Sequence, residues 1–456
     1  MKQADAIAPD RRFGLLQATA LNMSNMLGAG PFITIPALMA TMGGPQSMLG
    51  WGVALILALA DGLVWSELGA ALQKSGGSYV YLREGYGREK WGRFMGFLFI
   101  WQFILSGPLE LATAYVGVAQ YLQSLWPQSS ELARLSAGAV VGLMMIVLLY
   151  RRIESIGSIM MTLWAGVLLA MAVVIWTGVR NFDAKLAFDF PADAWSFDVT
   201  KWVALGAAAR IGMYDYLGYY DICFIGDEVK QPGRVIPRAV MLSLVLVALI
   251  YFAVNLSIIG VVPWRELVST EGVSEPVVTI MMTKVYGSGF AQLFTLLVLW
   301  TMVACCFAML LGYSRIPYAA ARDGSFFKVF GRLHASLGFP HVSLIVIGVV
   351  SAAATFVKLG TLIDALLTTR IVVQFAGQIG ALVLLRRMKP ELERPFRMWL
   401  YPLPALLALA GWTYLLVTTD RTLVGYGMAA LLAGALAFLA WSWKMRTWPF
   451  LKVKDA

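Results

Sequence analysis

An all-α integral membrane protein with twelve transmembrane helices, two of them broken, is the fold this sequence predicts. Three observations carry that expectation. Of 456 residues, 59% are hydrophobic and only 14% are charged, against about 25% charged in a soluble domain. Lysine and arginine alternate between the two sides of the apolar segments as those segments are counted along the chain. And two apolar segments, five spans apart, are interrupted midway by residues that do not suit a lipid-facing helix.

The apolar segments fall at roughly 13–40, 46–72, 91–122, 134–150, 154–179, 201–226, 236–262, 288–314, 341–357, 361–386, 399–418 and 423–443. With the N-terminus inside, 26 of the 36 Lys and Arg lie at inside tails and loops. Eight lie outside, and Arg210 and Arg370 lie within spans. An excess of Lys and Arg on cytoplasmic loops sets orientation, so both termini are predicted to be cytoplasmic in a multi-pass protein of the cell (plasma or inner) membrane. The net charge of +10 is then a topology signal with some attraction to anionic membrane lipid, not a nucleic-acid footprint. Cys223, Cys305 and Cys306 all sit in apolar segments and make no metal-spaced pattern. No phosphate-binding loop and no zinc-protease pair occurs, so no cofactor or metal is expected and ATP-driven transport lacks its motif. A membrane-embedded enzyme is a remote alternative. Such enzymes usually carry large outside loops with paired carboxylates or metal ligands, and the longest outside loop here is about 25 residues and holds no His or Cys.

Span one reads NMSNMLGAGPFITIP over 22–36. Gly28, Ala29, Gly30 and Pro31 fall in the middle of a segment longer than the ~20 residues a bilayer requires. Proline removes a donor and disfavours a helical residue before it, and glycine accepts non-helical dihedrals, so the helix is predicted to break there. A break leaves backbone groups that hydrocarbon cannot satisfy, and such backbone persists where it lines a protein cavity. Span six repeats the anomaly with Gly212, Tyr214, Asp215, Tyr216, Gly218, Tyr219, Tyr220 and Asp221. Unusual segments at matching places in two halves point to an inverted repeat with a midplane site. The expected organisation is a cytoplasmic tail over 1–12, a first repeat over 13–180, a second over 201–387, and two further spans with a tail over 399–456.

Ionisable residues inside a membrane cost roughly 2.5–3.5 kcal/mol each on insertion scales and need a partner or a task. Glu110 sits midway along span three and Asp215 at the centre of the second break. Each is a candidate counter-charge for a cationic substrate group, and Glu110 is a candidate proton carrier. The plainer reading of Glu110 is a structural salt bridge to Arg210 in span six or Arg370 in span ten. Asp221 is expected to cap the helix that restarts after the break. Trp101, Tyr214, Tyr216 and Tyr219 are the aromatic residues expected near a substrate. Gln374 and Gln378, four apart, are expected either to line a polar path or to tie helices together.

Four stretches resemble the amino acid–polyamine–organocation superfamily of transporters: Gly28 to Phe32; Glu67-Leu68 followed by Ser75-Gly76-Gly77-Ser78-Tyr79-Val80-Tyr81-Leu82-Arg83-Glu84; Tyr216-Leu217-Gly218-Tyr219; and Gly226-Asp227-Glu228-Val229-Lys230-Gln231-Pro232 with Arg234 and Pro237. The resemblance implies a five-plus-five inverted repeat with two C-terminal helices and secondary transport of an amine-bearing solute. It implies substrate contacts from Asn25, Met26, Gly28, Ala29 and Gly30 in span one, and from Met213, Tyr214, Asp215, Tyr216 and Leu217 in span six. Arg210, Tyr219, Asp221 and Arg370 join Glu110 as coupling or gating candidates. The sequence departs from the family pattern at Tyr220, where many members have an acid, at Gln73, where proline is usual, and in span five, which lacks the lysine some proton-coupled members carry. The expected substrate is an amino acid, with a polyamine or other organic cation as the alternative. Proton coupling is expected first, exchange second.

Overall fold

The computed structural model describes residues 11, 13–28, 30–151, 153–196, 198–268 and 276–450. Eight helices among them are long and apolar enough to cross a membrane, and a ninth span is a helix pair bent by 59°. The eight are Pro45–Ala71, Trp91–Leu125, Glu131–Leu149, Ile156–Asn181, Pro232–Ile259, Ser288–Arg322, Leu359–Met388 and Arg421–Met445. The ninth and eleventh spans are shorter, His341–Ala354 and Leu403–Val417. The sixth is Val199–Tyr216 followed by a non-helical turn and a 3₁₀ stretch, Asp221–Glu228, whose last two residues, Asp227 and Glu228, lie beyond the span in its connection to span seven. Counted in chain order these make twelve, the number the charge alternation predicts.

Span one is helical over Leu15–Met26, opens at Leu27 and Gly28, resumes over Gly30–Ile33 and turns again before Ile35–Met42. The break therefore falls where glycine and proline place it, and Thr34 adds a second bend. Span ten carries a π-helical turn, Ile371–Ala376, directly after Arg370. Such turns inside α-helices concentrate at functional sites.

The packing has a two-fold logic. Span one packs on span seven, and span six on span two; span three packs on span ten, and span eight on span five; span four packs on span eight, and span nine on span three. Exchanging spans 1–5 with spans 6–10 turns each of these contacts into its partner. The broken spans meet at the middle of the bundle, and their polar side chains are buried there: Asn22, Asn25, Asp215 and Asp221 are all at most 6% exposed.

On the side of the chain termini, the segment after span two is locked to the segment after span six. Ser75 donates to Asp227 and Gly76 N–H donates to the Phe224 carbonyl at 3.0 Å, while Arg315, at the end of span eight, pairs with Glu228 at 3.2 Å. Phe13 makes an isolated parallel bridge to Val229. The Ser-Gly-Gly run and the Asp-Glu run singled out in the sequence are therefore two halves of one contact. Glu67, at the same end of span two, accepts from Arg386 Nε at 2.8 Å and from the Met398 amide at 2.7 Å, tying span two to the connection between spans ten and eleven.

Candidate substrate site

A small cavity of about 20 Å³ lies between the two breaks. Span one contributes Asn25, Met26 and Gly30; span six contributes Tyr214, Asp215 and Leu217; Glu110 of span three and Cys305 and Met309 of span eight complete the wall. The lining is buried, with Asn25 6%, Tyr214 8% and Asp215 2% exposed.

The backbone polar groups freed at the breaks are taken up by side chains from neighbouring spans. The Tyr251 hydroxyl lies between the Met26 carbonyl and the Asp215 carbonyl, 2.9 Å from the latter. The Gly28 carbonyl accepts from Thr301 Oγ1 at 3.1 Å, and the Asn25 carbonyl from Cys305 Sγ at 3.3 Å. Asn22 serves both sides of the second break: its Nδ2 donates to the Tyr219 carbonyl at 2.6 Å and its Oδ1 accepts from the Ile222 amide at 3.0 Å. Hydrocarbon offers no partners at this depth, so a broken helix survives only with such replacements. The glycines of the first break are there for close approach. A Cβ on Gly28 would overlap the Cβ of Cys305, and one on Gly30 would come within 2.6 Å of Asp215 Oδ1.

Four buried carboxylates surround this junction, and each is held differently. Glu110 Oε2 lies 2.5 Å from Arg370 Nη1 and accepts from the Tyr313 hydroxyl. Arg370 also donates through Nε to Ser106 Oγ at 3.0 Å. Asp221 Oδ2 accepts from Asn25 Nδ2 at 2.7 Å. Asp61 takes three donors: Tyr219 O–H at 2.5 Å, Trp65 Nε1 at 3.0 Å and Trp412 Nε1 at 3.3 Å. Asp215 Oδ2 takes Trp51 Nε1 at 3.0 Å and lies 2.8 Å from Thr34 Oγ1, while its Oδ1 makes no hydrogen bond.

The structure sorts the predicted residues. Asn25, Met26, Gly30, Glu110, Tyr214, Asp215 and Leu217 come together in the wall. Gly28 contacts span eight behind it, and Met213 and Tyr216 are buried away from the cavity, Tyr216 with its ring against Tyr251. Ala29 lies outside the described residues. Of the two arginines offered to Glu110, Arg370 takes it; Arg210 instead donates to the Thr418 carbonyl at 2.9 Å and lies 3.5 Å from Asp364. Two expectations are corrected. Trp101 is not near the cavity, because its Nε1 donates to the Ala430 carbonyl at 2.9 Å and its ring packs on Gly434 of span twelve. Asp221 is not a helix cap, because the chain restarts as a 3₁₀ turn and the carboxylate reaches back to Asn25. Gln378 ties helices by accepting from Ser78 Oγ at 2.6 Å. Cys305 and Met309 were missed. Their only sequence signal is a four-residue spacing on a helix already apolar all round.

Two broken spans that meet at a buried cavity are the arrangement on which membrane transporters build a substrate site. The comparisons agree. A family model described as amino acid permease matches residues 13–438, and the chain belongs to that family; it is a multi-pass membrane transporter and not an enzyme. It is similar to the serine/threonine exchanger SteT of Bacillus subtilis, 25% identical over 430 residues, covering 93% of this chain and 95% of that one. It is similar to the human cystine/glutamate transporter, 25% identical over 460 residues with 97% and 88% covered. It is also similar to the mouse Asc-type amino acid transporter 1, 26% identical over 463 residues with 97% and 83% covered.

Proposed function

We propose that this chain moves an amino acid across the cell membrane by alternating access, with the substrate seated between the breaks of spans one and six. The observation that carries the reading is the cavity walled by Asn25, Met26 and Gly30 on one side and by Tyr214, Asp215 and Leu217 on the other. The named relatives are all amino acid carriers, and none of those names supports the polyamine alternative. Residues 13–180 and 201–387 act as the two inverted repeats, and the exchange of contacts between the halves supports that division. Spans one, two, six and seven rock against the rest, with both termini in the cytoplasm.

Exchange of one amino acid for another now ranks ahead of proton symport through Glu110. A carboxylate 2.5 Å from a buried guanidinium is held as an ion pair, and to carry a proton it would have to leave Arg370 uncompensated. One relative is itself named an exchanger. The test is uptake into proteoliposomes. Labelled L-serine or another small neutral amino acid should enter vesicles preloaded with unlabelled amino acid and enter empty vesicles far more slowly. Equal uptake into empty vesicles driven by an inward proton gradient would return the coupling to protons. No uptake of any amino acid in either format would remove the amino acid reading.

A further inference from the structure

The geometry points to Asp215 as the receptor for the substrate's ammonium group. This deepens the transport reading and rests on it. The inference starts from which acceptors in the cavity are still open. An ammonium brings three donors and one positive charge, and needs acceptors that no protein donor already holds.

The backbone carbonyls nearest the site are contacted but not all satisfied: the single Tyr251 proton is shared between those of Met26 and Asp215, that of Thr301 between Gly28 and Val298, and Cys305 donates to that of Asn25. These carbonyls are neutral, and the stronger partner for an ammonium is a carboxylate. Two of the other buried acids are taken: Glu110 has Arg370 and Tyr313, and Asp61 has Tyr219 and two tryptophans. Asp221 has Asn25 on Oδ2 and, like Asp215, a buried Oδ1 with no hydrogen bond, but neither Asp221 nor Asp61 is among the cavity-lining residues. Asp215 combines an open oxygen with a place in the cavity wall. Both of its neighbouring donors, Trp51 Nε1 and Thr34 Oγ1, gather on Oδ2. Thr34 Oγ1 also lies 2.9 Å from the Gly30 carbonyl, and one hydroxyl proton cannot serve both acceptors. Oδ1 is buried, makes no hydrogen bond, and lies where a Cβ on Gly30 would come within 2.6 Å of it. That places the open oxygen at the first break, beside the backbone expected to receive a carboxylate, in the wall of the cavity.

A buried carboxylate oxygen with no partner is costly to keep. It persists where something else supplies the partner for part of the cycle. A zwitterionic substrate does so: its ammonium neutralises Asp215 while its carboxylate rests on the span-one backbone. Trp51 and Thr34 gather on Oδ2, which leaves Oδ1 beside Gly30 at the first break, and Trp51 is itself fixed by stacking on Tyr251 at 5.4 Å.

The test uses the purified full-length protein. Twenty L-amino acids are screened by thermal stabilisation, and the strongest stabiliser is compared with its α-hydroxy-acid analogue, which keeps the carboxylate and loses the ammonium. Both are then measured on Asp215→Asn. The expected result is an affinity loss of about 10–100-fold for the amino acid, the range for a hydrogen bond to a charged group. The hydroxy acid should bind the wild type weakly and lose nothing in the variant, so selectivity between the two collapses. A purely structural role for Asp215 would weaken both ligands alike, and that result overturns the assignment, as does an Asn variant with undiminished affinity and selectivity. If Asp215→Asn does not fold, Asp215→Ser is measured the same way, since its hydroxyl still offers Trp51 an acceptor. Absence of stabilisation by any amino acid in the wild type would overturn the transport reading itself, a different outcome from loss of the Asp215 role alone.

Discussion

The buried ion pair between spans three and ten offers the sharpest energetic prediction. Glu110 and Arg370 side chains are 3% and 1% exposed, with Oε2 and Nη1 2.5 Å apart. The Arg370 guanidinium also lies over the rings of Phe103 and Tyr313, at 5.9 and 5.7 Å from their centroids. Neither charge has water to turn to. Glu110→Gln keeps the volume and leaves Arg370 as an uncompensated buried cation; Arg370→Gln leaves Glu110 as an uncompensated anion. Breaking a buried pair by removing one partner costs about 3–5 kcal/mol, whereas replacing both members together is often close to neutral. The double variant Glu110→Gln/Arg370→Gln should therefore be more stable than either single variant; with singles at about 3 kcal/mol each and a near-neutral double, the double-mutant cycle gives a coupling energy of about 6 kcal/mol. The assay is denaturation of the three purified variants and the wild type in one detergent, followed by their uptake in proteoliposomes. Additive single effects, or a double variant less stable than both singles, would refute the ion pair as an energetic unit. Transport should fall in all three variants, because Glu110 also lines the cavity.

Three further outcomes follow from the same geometry. Gly28→Ala should abolish transport and destabilise the fold by about 1–3 kcal/mol, the usual cost of overpacking, because the new methyl overlaps Cys305 Cβ; adding Cys305→Gly should recover part of both, and failure to recover either would show that the clash is not the cause. Asp61→Asn leaves one acceptor oxygen where three donors converge from Tyr219, Trp65 and Trp412, so a melting measurement should show a loss of about 1–3 kcal/mol for the donor left unpaired, and an unchanged melting point would contradict that network. Asp227, in the segment after span six, has its carboxyl pushed up to about 6 by burial and by the neighbouring Glu228. Its folded value lies above its unfolded one, so its contribution to stability is present below the ordinary carboxylate range and is lost as pH rises through about 6. Asp227→Asn should flatten the wild type's decline in stability between pH 4 and 7, and a parallel decline in the variant would assign the pH dependence elsewhere.

Much of this architecture was legible because the membrane makes few residues ambiguous. Gly28 to Pro31 could not continue a helix, and the break falls there. The alternation of Lys and Arg set the twelve spans, including the short ninth. Glu110 and Arg370 were visible as rare charges at one depth, although only packing could choose Arg370 over Arg210. What stayed hidden depends on contacts between distant spans. The sequence around Asp61 gives no sign of its partners, because two of its donors come from Tyr219 and Trp412, 158 and 351 residues away. Cys305 and Met309 reach the cavity from a helix in which every face is apolar, so periodicity could not single them out. Trp101 misled because an indole in a membrane helix reads alike whether it faces a substrate or, as here, a carbonyl of span twelve.

The central claim is that an amino acid sits between the two breaks, and ligand-dependent melting of the purified protein tests it directly. A ligand selective for the folded state raises the melting point by mass action. An amino acid should do so while its decarboxylated amine, lacking the carboxylate that the span-one backbone receives, does not. Stabilisation by putrescine or spermidine, with every amino acid silent, would contradict the claim.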